Sequence, residues 1–589
     1  MNDENICFLL FYMIMNSIFS NFELKRAGFV ALFKKGDIDN AIVEYKKYNK
    51  KLNNLLFRIF FRKQYLEEQK TINKIFTENM SKAAEKSLSE ENLEKAAEYY
   101  NEIYLIDKND TNILKKYINC LEKIEQYDLK LIIAKELLKL QDIGENYRII
   151  SEAYQKMNKN QEAIDFYFKY LDFSKKELIE ADYSRLGILY FALYHEKNNK
   201  KYVKKSIYYF KKALETPDSD VKRRKIKLNN CIAASYLIRD YELSEKCWKE
   251  LFTLGEFDAN EKFAYSTFCI RTGRLKEWEE SHDSRFEKTP PVEYVKTDKP
   301  RWTGQEDISN STLLVCCEQG YGDIVLMWGY MKRLIKIAKK VIFVTRPALV
   351  SLFKNNPYNI EVLSINDDIK KIDYDYQVPI FSIPACLKLD KSNISVGSGY
   401  IKVDEKLREK FKKEYFDNKT FNIGIAFLGS PLGEQIRDIP LEKFKIFNKL
   451  KNVHFYCLTK DVNDDKLKKV FPAKKITNIA KYFNDFNDTA AAMENLDLVV
   501  SGDNCILNIA GAIGKRAFGI FNYRYHFRWS DFLENKKRQV KTNNGYTDII
   551  RDDVGWYTCV KPFVNEDFDD WDTTMKKVFK EIEKIRSKK

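Results

Sequence analysis

The sequence predicts an α-helical array over residues 1–290, followed by two α/β domains with parallel sheets over residues 296–418 and 419–589. Three observations carry this. Before residue 290, one helical apolar period follows another with few Gly or Pro breaks. Pro290-Pro291 closes that regime. After it, short β-rich runs alternate with helical stretches, the pattern of parallel strands joined by right-handed crossovers. At 589 residues the chain also exceeds what one core supports, about 250–300 residues.

At the N-terminus, residues 6–15 are apolar, yet Asp3 and Glu4 replace the basic start of a signal peptide and no A-x-A site follows. The stretch is also short for a membrane span of about 20 residues. It reads as a first helix or an alternative start, and the chain as cytoplasmic with no transmembrane segment. Residues 49–72 place Leu52, Leu55, Leu56, Ile59 and Phe60 at helical spacing beside Arg58, Arg62 and Lys63. A core helix of the array is the expectation, with membrane-surface binding as the alternative. Residues 147–173 form the clearest hairpin. Tyr147, Ile150, Ser151 and Tyr154 mark one helix, Asn158 and Asn160 the turn, and Ala163, Tyr167 and Leu171 the second helix. Small residues at Ser151 and Ala163 let the helices cross closely. The unit resembles a tetratricopeptide repeat, with a period of about 34 residues; a generic helical array is the alternative. Similar second helices surround Ala41/Tyr45, Ala96/Tyr100, Ser206/Phe210/Ala213 and Ser244/Trp248. Stacked hairpins of this kind bury a continuous core and leave a concave face, to which we assign a protein partner.

The charge balance, 101 Lys+Arg against 86 Asp+Glu, gives +15 without a dense basic stripe, so no nucleic-acid partner is expected. Eleven cysteines form no C-x-x-C pair, which points to buried thiols in a reducing compartment. The four histidines lie far apart, so no metal site is expected.

Beyond residue 290 the expected strands are 311–317, 341–345, 360–365, 375–379, 422–426, 454–459, 496–501 and 517–521, in two sets separated by a charged helix within 405–418. The first strand breaks into Gly320-Tyr321-Gly322-Asp323 and then a helix. This is a strand–glycine–helix opening where backbone comes close to a ligand and free N–H groups point outward. In open α/β sheets, ligands bind beyond the carboxyl ends of the strands. Ser430, Thr459 and Asp503 occupy such ends in the second set.

Four segments taken together resemble bacterial glycosyltransferases of the heptosyltransferase type (glycosyltransferase family 9-like) that carry tetratricopeptide repeats. They are E-Q-G-Y-G-D (318–323), R-D-I-P-L (437–441), N-D-T-A-A-x-M-x-N-L-D-L-V-V-S (487–501) and G-D-N-C-I-L-N-I-A-G-A-I-G-K (502–515), with Arg528-Trp529 and Gly555-Trp556-Tyr557 following. The resemblance covers roughly residues 296–585. It implies a GT-B fold, two Rossmann-like lobes around a cleft, with no catalytic metal and no cofactor. It further implies that a sugar passes from a nucleotide-sugar donor to an acceptor hydroxyl on a glycan or protein. On that pattern Asp323 is the general base, and Gly320 and Gly322 line its loop. Ser430 and Arg437 hold the donor's phosphates, with Thr459 alongside. Asp503, Asn504 and Asn508 receive the sugar. The final helix, residues 572–589, is expected to pack back toward the first lobe.

The sequence departs from that family where it has Asp-Thr-small-x-x-His. Asn504 and Asn508 stand here instead, and Asn508 carries no charge near neutral pH. An inactive scaffold that binds proteins or a nucleotide sugar is therefore the alternative. A metal-dependent transferase built on Asp373-Tyr374-Asp375 is a weaker rival, as is a protein O-linked N-acetylglucosamine transferase, whose His and Lys placements are not found.

Overall fold

The computed structural model describes residues 62–589 apart from 176, 218–219, 296, 417–418, 430–436, 527, 530–536, 543–544, 551 and 588–589; before residue 62 it describes only 32, 40, 42–44 and 46–47. The apolar stretch 6–15, the pair Ala41/Tyr45, the stripe from Leu52 to Phe60 and Ser430 lie outside the described residues. The chain divides into two compact units, Met1–Ala234 and Ser235–Lys589.

Among the described residues, twelve helices between Arg62 and His282 pair into six hairpins. Each hairpin turns through one residue in the left-handed region: Glu91, Glu125, Asn158, Asn198, Arg239 and Gly273. These positions are 34, 33, 40, 41 and 34 residues apart, so the period of about 34 survives with two insertions. In five turns the N–H after the left-handed residue reaches five residues back, as Gln126 does to the Leu121 carbonyl at 2.9 Å and Lys159 to Tyr154 at 2.9 Å. This satisfies carbonyls that a helix end otherwise leaves open. The small residues act as the spacing predicts, and their hydroxyls also bond across the crossing. Ser151 Oγ donates to the Ala163 carbonyl at 2.6 Å, and Ser206 Oγ to Gly187 at 2.8 Å. No helix among the described residues is long and apolar enough to cross a membrane.

Strands begin after residue 290. The first lobe is a four-stranded parallel sheet of β1 (Thr312–Cys316), β2 (Lys340–Thr345), β3 (Ile360–Ser364) and β4 (Tyr376–Pro379), in the order β3-β2-β1-β4. The second lobe holds β5 (Phe421–Ala426), β6 (Val453–Cys457), β7 (Ile476–Asn478), β8 (Leu498–Gly502) and β9 (Ala517–Phe521). An antiparallel pair, β10 (Lys537–Thr542) and β11 (Gly545–Ile550), precedes β12 (Val560–Val564). The six-stranded parallel sheet runs β12-β9-β8-β5-β6-β7. The eight expected strands are present within a residue or two. The sequence reading missed four strands: β7, which is three residues long, the antiparallel pair β10 and β11, and β12, whose Pro562 is tolerated because that strand lies at the sheet edge.

One apolar core runs through both lobes and the last helical hairpin, from Trp278 and Leu313 to Leu507 and Tyr557. The helix Trp571–Arg586 does not pack toward the first lobe as expected. Trp571, Met575, Val578 and Ile582 close the outer face of the second sheet against Phe444, Phe518 and Ile520. An apolar stripe follows the nearest uncovered apolar face, and β12 delivers the chain directly to it.

The end of the helical array is tied to the first lobe by a buried ion pair. Arg285 Nε and Nη2 donate to Glu318 at 2.8 and 2.7 Å, both side chains are fully buried, and Glu318 also accepts the Phe381 N–H at 3.0 Å. Beside it sits His282, 4% exposed, whose ring nitrogens have no hydrogen-bond partner among the described residues. Burial, then the charges of Arg285, Arg528 and Arg301, hold its imidazole well below the usual pKa of 6.5.

Removing one member of a buried pair leaves the other charge uncompensated. Glu318→Leu is expected to cost about 3–5 kcal/mol in denaturant unfolding of the C-terminal unit. Arg285 Nη1 also donates to Asp283 at 2.6 Å, so a loss below about 1 kcal/mol would mean that Asp283 alone satisfies Arg285. The unfolded chain binds a proton at His282 near pH 6.5 and the native state does not, so stability present above that pH is lost below it, by up to about 1.4 kcal/mol per pH unit. His282→Phe should flatten this acid limb in a Tm series from pH 7 to 5; an unchanged slope would assign the limb to other groups.

Candidate functional site

The carboxyl ends of β1 and β8 each lead into a helix, and the two helices, Tyr321–Trp328 and Cys505–Ile513, pack directly against each other across the lobes. Gly322 sets their separation. A Cβ there would lie 2.8 Å from Asn508 Nδ2 and 3.2 Å from the Cys505 Cα. Gly320, by contrast, is extended, and the left-handed residue of the loop is Gln319, with φ of 63°. Arg346 holds that turn by donating to the Gln319 carbonyl at 2.7 Å.

Asp323 is the third residue of its helix. One carboxylate oxygen accepts the Gly320 N–H at 3.0 Å and closes the helix start, and the other is ion-paired with Arg528 from the second lobe. Burial pushes the Arg528 guanidinium pKa down to about 10. The neighbouring Trp529 donates its indole N–H to Asp503 at 3.0 Å. Consecutive residues thus hold one carboxylate from each lobe.

Asp503 follows β8 and is 5% exposed. Its Oδ2 has no partner among the described residues. Burial raises its pKa, while Arg437 and the Trp529 bond pull it down. It does not cap the helix: Asn504 does, accepting from Ile506 and Leu507 N–H at 3.0 and 3.3 Å while donating to the Leu428 carbonyl at 3.1 Å. That leaves Asp503 available to a ligand. Asn508 is fully engaged, donating to the Asn504 carbonyl at 3.1 Å and accepting from Tyr557 Oη at 3.0 Å. Tyr400 donates onward to Tyr557 at 3.4 Å.

Thr459 lies away from this group in its bonding. It is buried, and its hydroxyl oxygen accepts the Phe427 N–H at 3.1 Å, tying the end of β6 to the end of β5. Arg437 makes no hydrogen bond or ion pair among the described residues. Gly429 N–H donates to Asp438 at 2.6 Å and Ile439 N–H to the Phe427 carbonyl at 2.8 Å, which fixes where Arg437 stands. In the Asp373-Tyr374-Asp375 triplet, Tyr374 is buried and Asp375 accepts the Thr312 N–H at 2.7 Å, a strand-end bond. No group of three or more metal-ligating side chains occurs among the described residues.

The helical array also reaches the site, which sequence reasoning missed. Arg239, at the turn of the fifth hairpin, donates to the Tyr523 carbonyl and lies 4.0 and 4.3 Å from the ring centroids of Tyr523 and Tyr525. Tyr523 Oη donates back to the Ile238 carbonyl at 3.1 Å. The segment so held leads into Arg528 and Trp529. No local pattern marks such a contact between residues 284 positions apart.

No protein-family model matches the chain, and no curated protein does. Among solved structures it is similar to MamA at 17% identity over 30% of this chain and 89% of that one, with a TM-score of 0.25. It is similar to a family 9 glycosyl transferase from Veillonella parvula DSM 2008 at 14% identity over 38% and 86%, with a TM-score of 0.32. A third is the ADP-heptose lps heptosyltransferase II of E. coli, at 9% identity over 47% and 99%, with a TM-score of 0.34.

Overpacking a close helix contact costs about 1–3 kcal/mol. Gly322→Ala is expected to lower stability by that amount in thermal unfolding, because backbone of the facing helix, and not only the Asn508 amide, must give way. An unaltered Tm would show that the lobes part freely at this point.

Proposed function

We propose that the protein is a glycosyltransferase that moves a sugar from a nucleotide-sugar donor to an acceptor hydroxyl on a glycan or a protein. The observation that carries this is the buried Asp503 carboxylate, with one oxygen unbonded among the described residues, held by Trp529 next to the Arg528 that pairs with Asp323. The sequence motifs around 318–323, 437–441 and 487–515 support the same reading.

In this scheme Asp503 accepts hydrogen bonds from hydroxyls of the donor sugar, and Arg437 faces its diphosphate. Asn504 and Asn508 shape the floor, while Gly320 and Gly322 keep the acceptor side open to a hydroxyl. Ser430 and Thr459 remain assigned to the donor side, Thr459 through the backbone it positions. The acceptor oxygen attacks the anomeric carbon as Asp323 takes its proton. The bond from that carbon to the diphosphate breaks, and the departing negative charge is met by arginine. Asp323 can take the proton only after Arg528 lets go of it, and the arriving diphosphate is the natural rival for that guanidinium. The cationic work is thus done by side chains, with no metal or cofactor assigned. The helical repeats present the acceptor or a protein partner. All ten described cysteines are free thiols, eight of them buried, which supports a cytoplasmic setting.

A second reading is favoured by a specific observation: both Asp323 oxygens and both polar atoms of Asn508 are bonded within the protein. It is a scaffold that binds a nucleotide sugar, or proteins, without turnover.

Asp323→Asn should bind nucleotide sugars normally in a thermal-shift panel and lose about 10²–10⁴ in transfer rate. Full activity would remove Asp323 as the base. A wild-type protein that binds a nucleotide sugar and transfers nothing to glycan or protein acceptors would establish the scaffold.

A further inference from the structure

The helix Lys200–Glu215, second of the fourth hairpin, holds six lysines and one acid, its last residue. The charge around it is uneven. Residues 197–227 carry twelve Lys and Arg against three acids, so more than half of the chain's net +15 falls in this stretch. In the sequence the lysines stand as separated doublets. The helix gathers them: at about 100° and 1.5 Å per residue, Lys201, Lys204, Lys205, Tyr208 and Lys211 share an arc of about 120° and a length of about 15 Å. All five are exposed, Tyr208 by 56%, while Val203, Ile207 and Phe210 are buried on the opposite face.

The four exposed lysines have no ion-pair partner among the described residues. Lys204 and Lys211 make no hydrogen bond, Lys201 lies over Tyr202 at 4.8 Å, and Lys205 over Tyr190 at 4.9 Å. Acids at the flanks are engaged elsewhere. Glu215 pairs with Lys212 at 2.9 Å, and Asp165, whose charge acts on Tyr190, accepts from Gln161 at 2.9 Å. The corresponding helix one hairpin earlier, Asn160–Ser174, exposes Glu162, Asp165 and Asp172 against Lys169. The positive face therefore belongs to this hairpin and not to the repeat in general.

The shape of the stripe narrows what it can meet. Tyr190 stacks on Tyr202 at 6.5 Å and on Tyr209 at 5.5 Å, and Tyr208 stands edge-on to Tyr209 at 5.2 Å. These rings are spent on one another, which leaves nucleobases no row of free faces on which to stack. The outer side of a single helix offers a peptide neither groove nor sheet edge. A plane of negative charge, by contrast, reaches all four lysines at once. Flexible ammonium groups suit phosphates whose positions are not fixed, and an exposed tyrosine among them suits the headgroup level of a bilayer. A basic cluster of about four to eight residues is the size that holds a protein to anionic lipid, each residue strengthening binding about fivefold.

We propose that the outer face of the helix Lys200–Glu215 docks the protein on an anionic phospholipid surface. The contact is peripheral and electrostatic, with Tyr208 as its one presented ring. Exposed charges are screened beyond about 10 Å at 0.1 M salt, so docking is reversible and weakens as salt rises. This role stands on the stripe alone and does not depend on sugar transfer.

Co-sedimentation of the full-length protein with vesicles tests it. Wild type should bind phosphatidylcholine in which a third of the lipid is replaced by phosphatidylglycerol, ignore pure phosphatidylcholine, and come off at high salt. Lys201→Gln, Lys204→Gln, Lys205→Gln and Lys211→Gln together should weaken binding about 100- to 1000-fold. The same four changed to Arg should bind as wild type, which guards against a folding defect. Removing equal charge from exposed lysines elsewhere, Lys86, Lys139, Lys249 and Lys468 to Gln, should cost less than about tenfold. Tyr208→Trp adds an exposed tryptophan to a chain whose seven native ones are buried, and its emission should move to the blue on the anionic vesicles. Equal loss in the stripe and scattered variants overturns the proposal, as does an unmoved emission in Tyr208→Trp. So does equal binding to both vesicle types. A wild type that binds single-stranded oligonucleotide or polyglutamate through these lysines, and no vesicle, would give the stripe to a polymer instead.

Discussion

The close approach of two helices at Gly322 is the constraint on which the C-terminal unit depends. With no side chain there, the helix start that carries Asp323 comes within contact of the helix that starts at Cys505. This brings Asp323 within reach of Arg528, sets Asn508 where it can bond only to its own helix and to Tyr557, and lets one apolar core serve both lobes. The lobes also meet through Ser351 and Asp485, Asn355 and Asn487, and the rings of Tyr321 and Phe486, so the junction is held by packing with the Asp323–Arg528 pair beside it. The packing is insensitive to ligand, whereas the ion pair is open to competition by any anion that enters.

The division of labour among arginines follows from their surroundings. Arg285 faces a fully buried carboxylate and is structural. Arg239 lies on aromatic rings and a carbonyl, which uses its flat shape as much as its charge. Arg528 pairs with a carboxylate that retains some exposure, so the pair costs less to separate than that of Arg285 and Glu318. Arg271 lies over the Tyr236 ring, and Arg437 acts on the Asp503 carboxylate without a hydrogen bond or ion pair among the described residues. The same residue type therefore serves as anchor, strut and gate within one unit.

Much of the architecture was legible because periodicity is a local property. The hairpin around Ser151 and Ala163 and the buried runs of β1, β5 and β8 could be read from apolar spacing alone. Where the reading slipped, the deciding contact was distant or subtle. The G-x-G loop drew attention to glycines, yet the left-handed turn falls at Gln319 because Arg346 holds its carbonyl. Asp503 leaves the helix cap to Asn504, whose backbone is extended and whose amide oxygen reaches the helix N–H groups. The last helix found the second lobe because β12, hidden by Pro562, leads there. Arg239 sits in a helical stretch whose local pattern says only that a turn is near; its purpose lies in residues far along the chain.

The left-handed turns that recur through the array have a consequence for how such a chain can change length. A turn closed by its own backbone bonds makes each hairpin a self-contained module. Modules before Ser235 can be duplicated or lost as wholes without altering the spacing from Arg239 to Arg285, because both lie within the C-terminal unit. The fifth and sixth hairpins have no such latitude, since a single inserted residue there would rotate an arginine away from the lobe it serves. Reach toward a partner and fidelity at the cleft are thus carried by different stretches of the same repeat, and one can drift while the other is held.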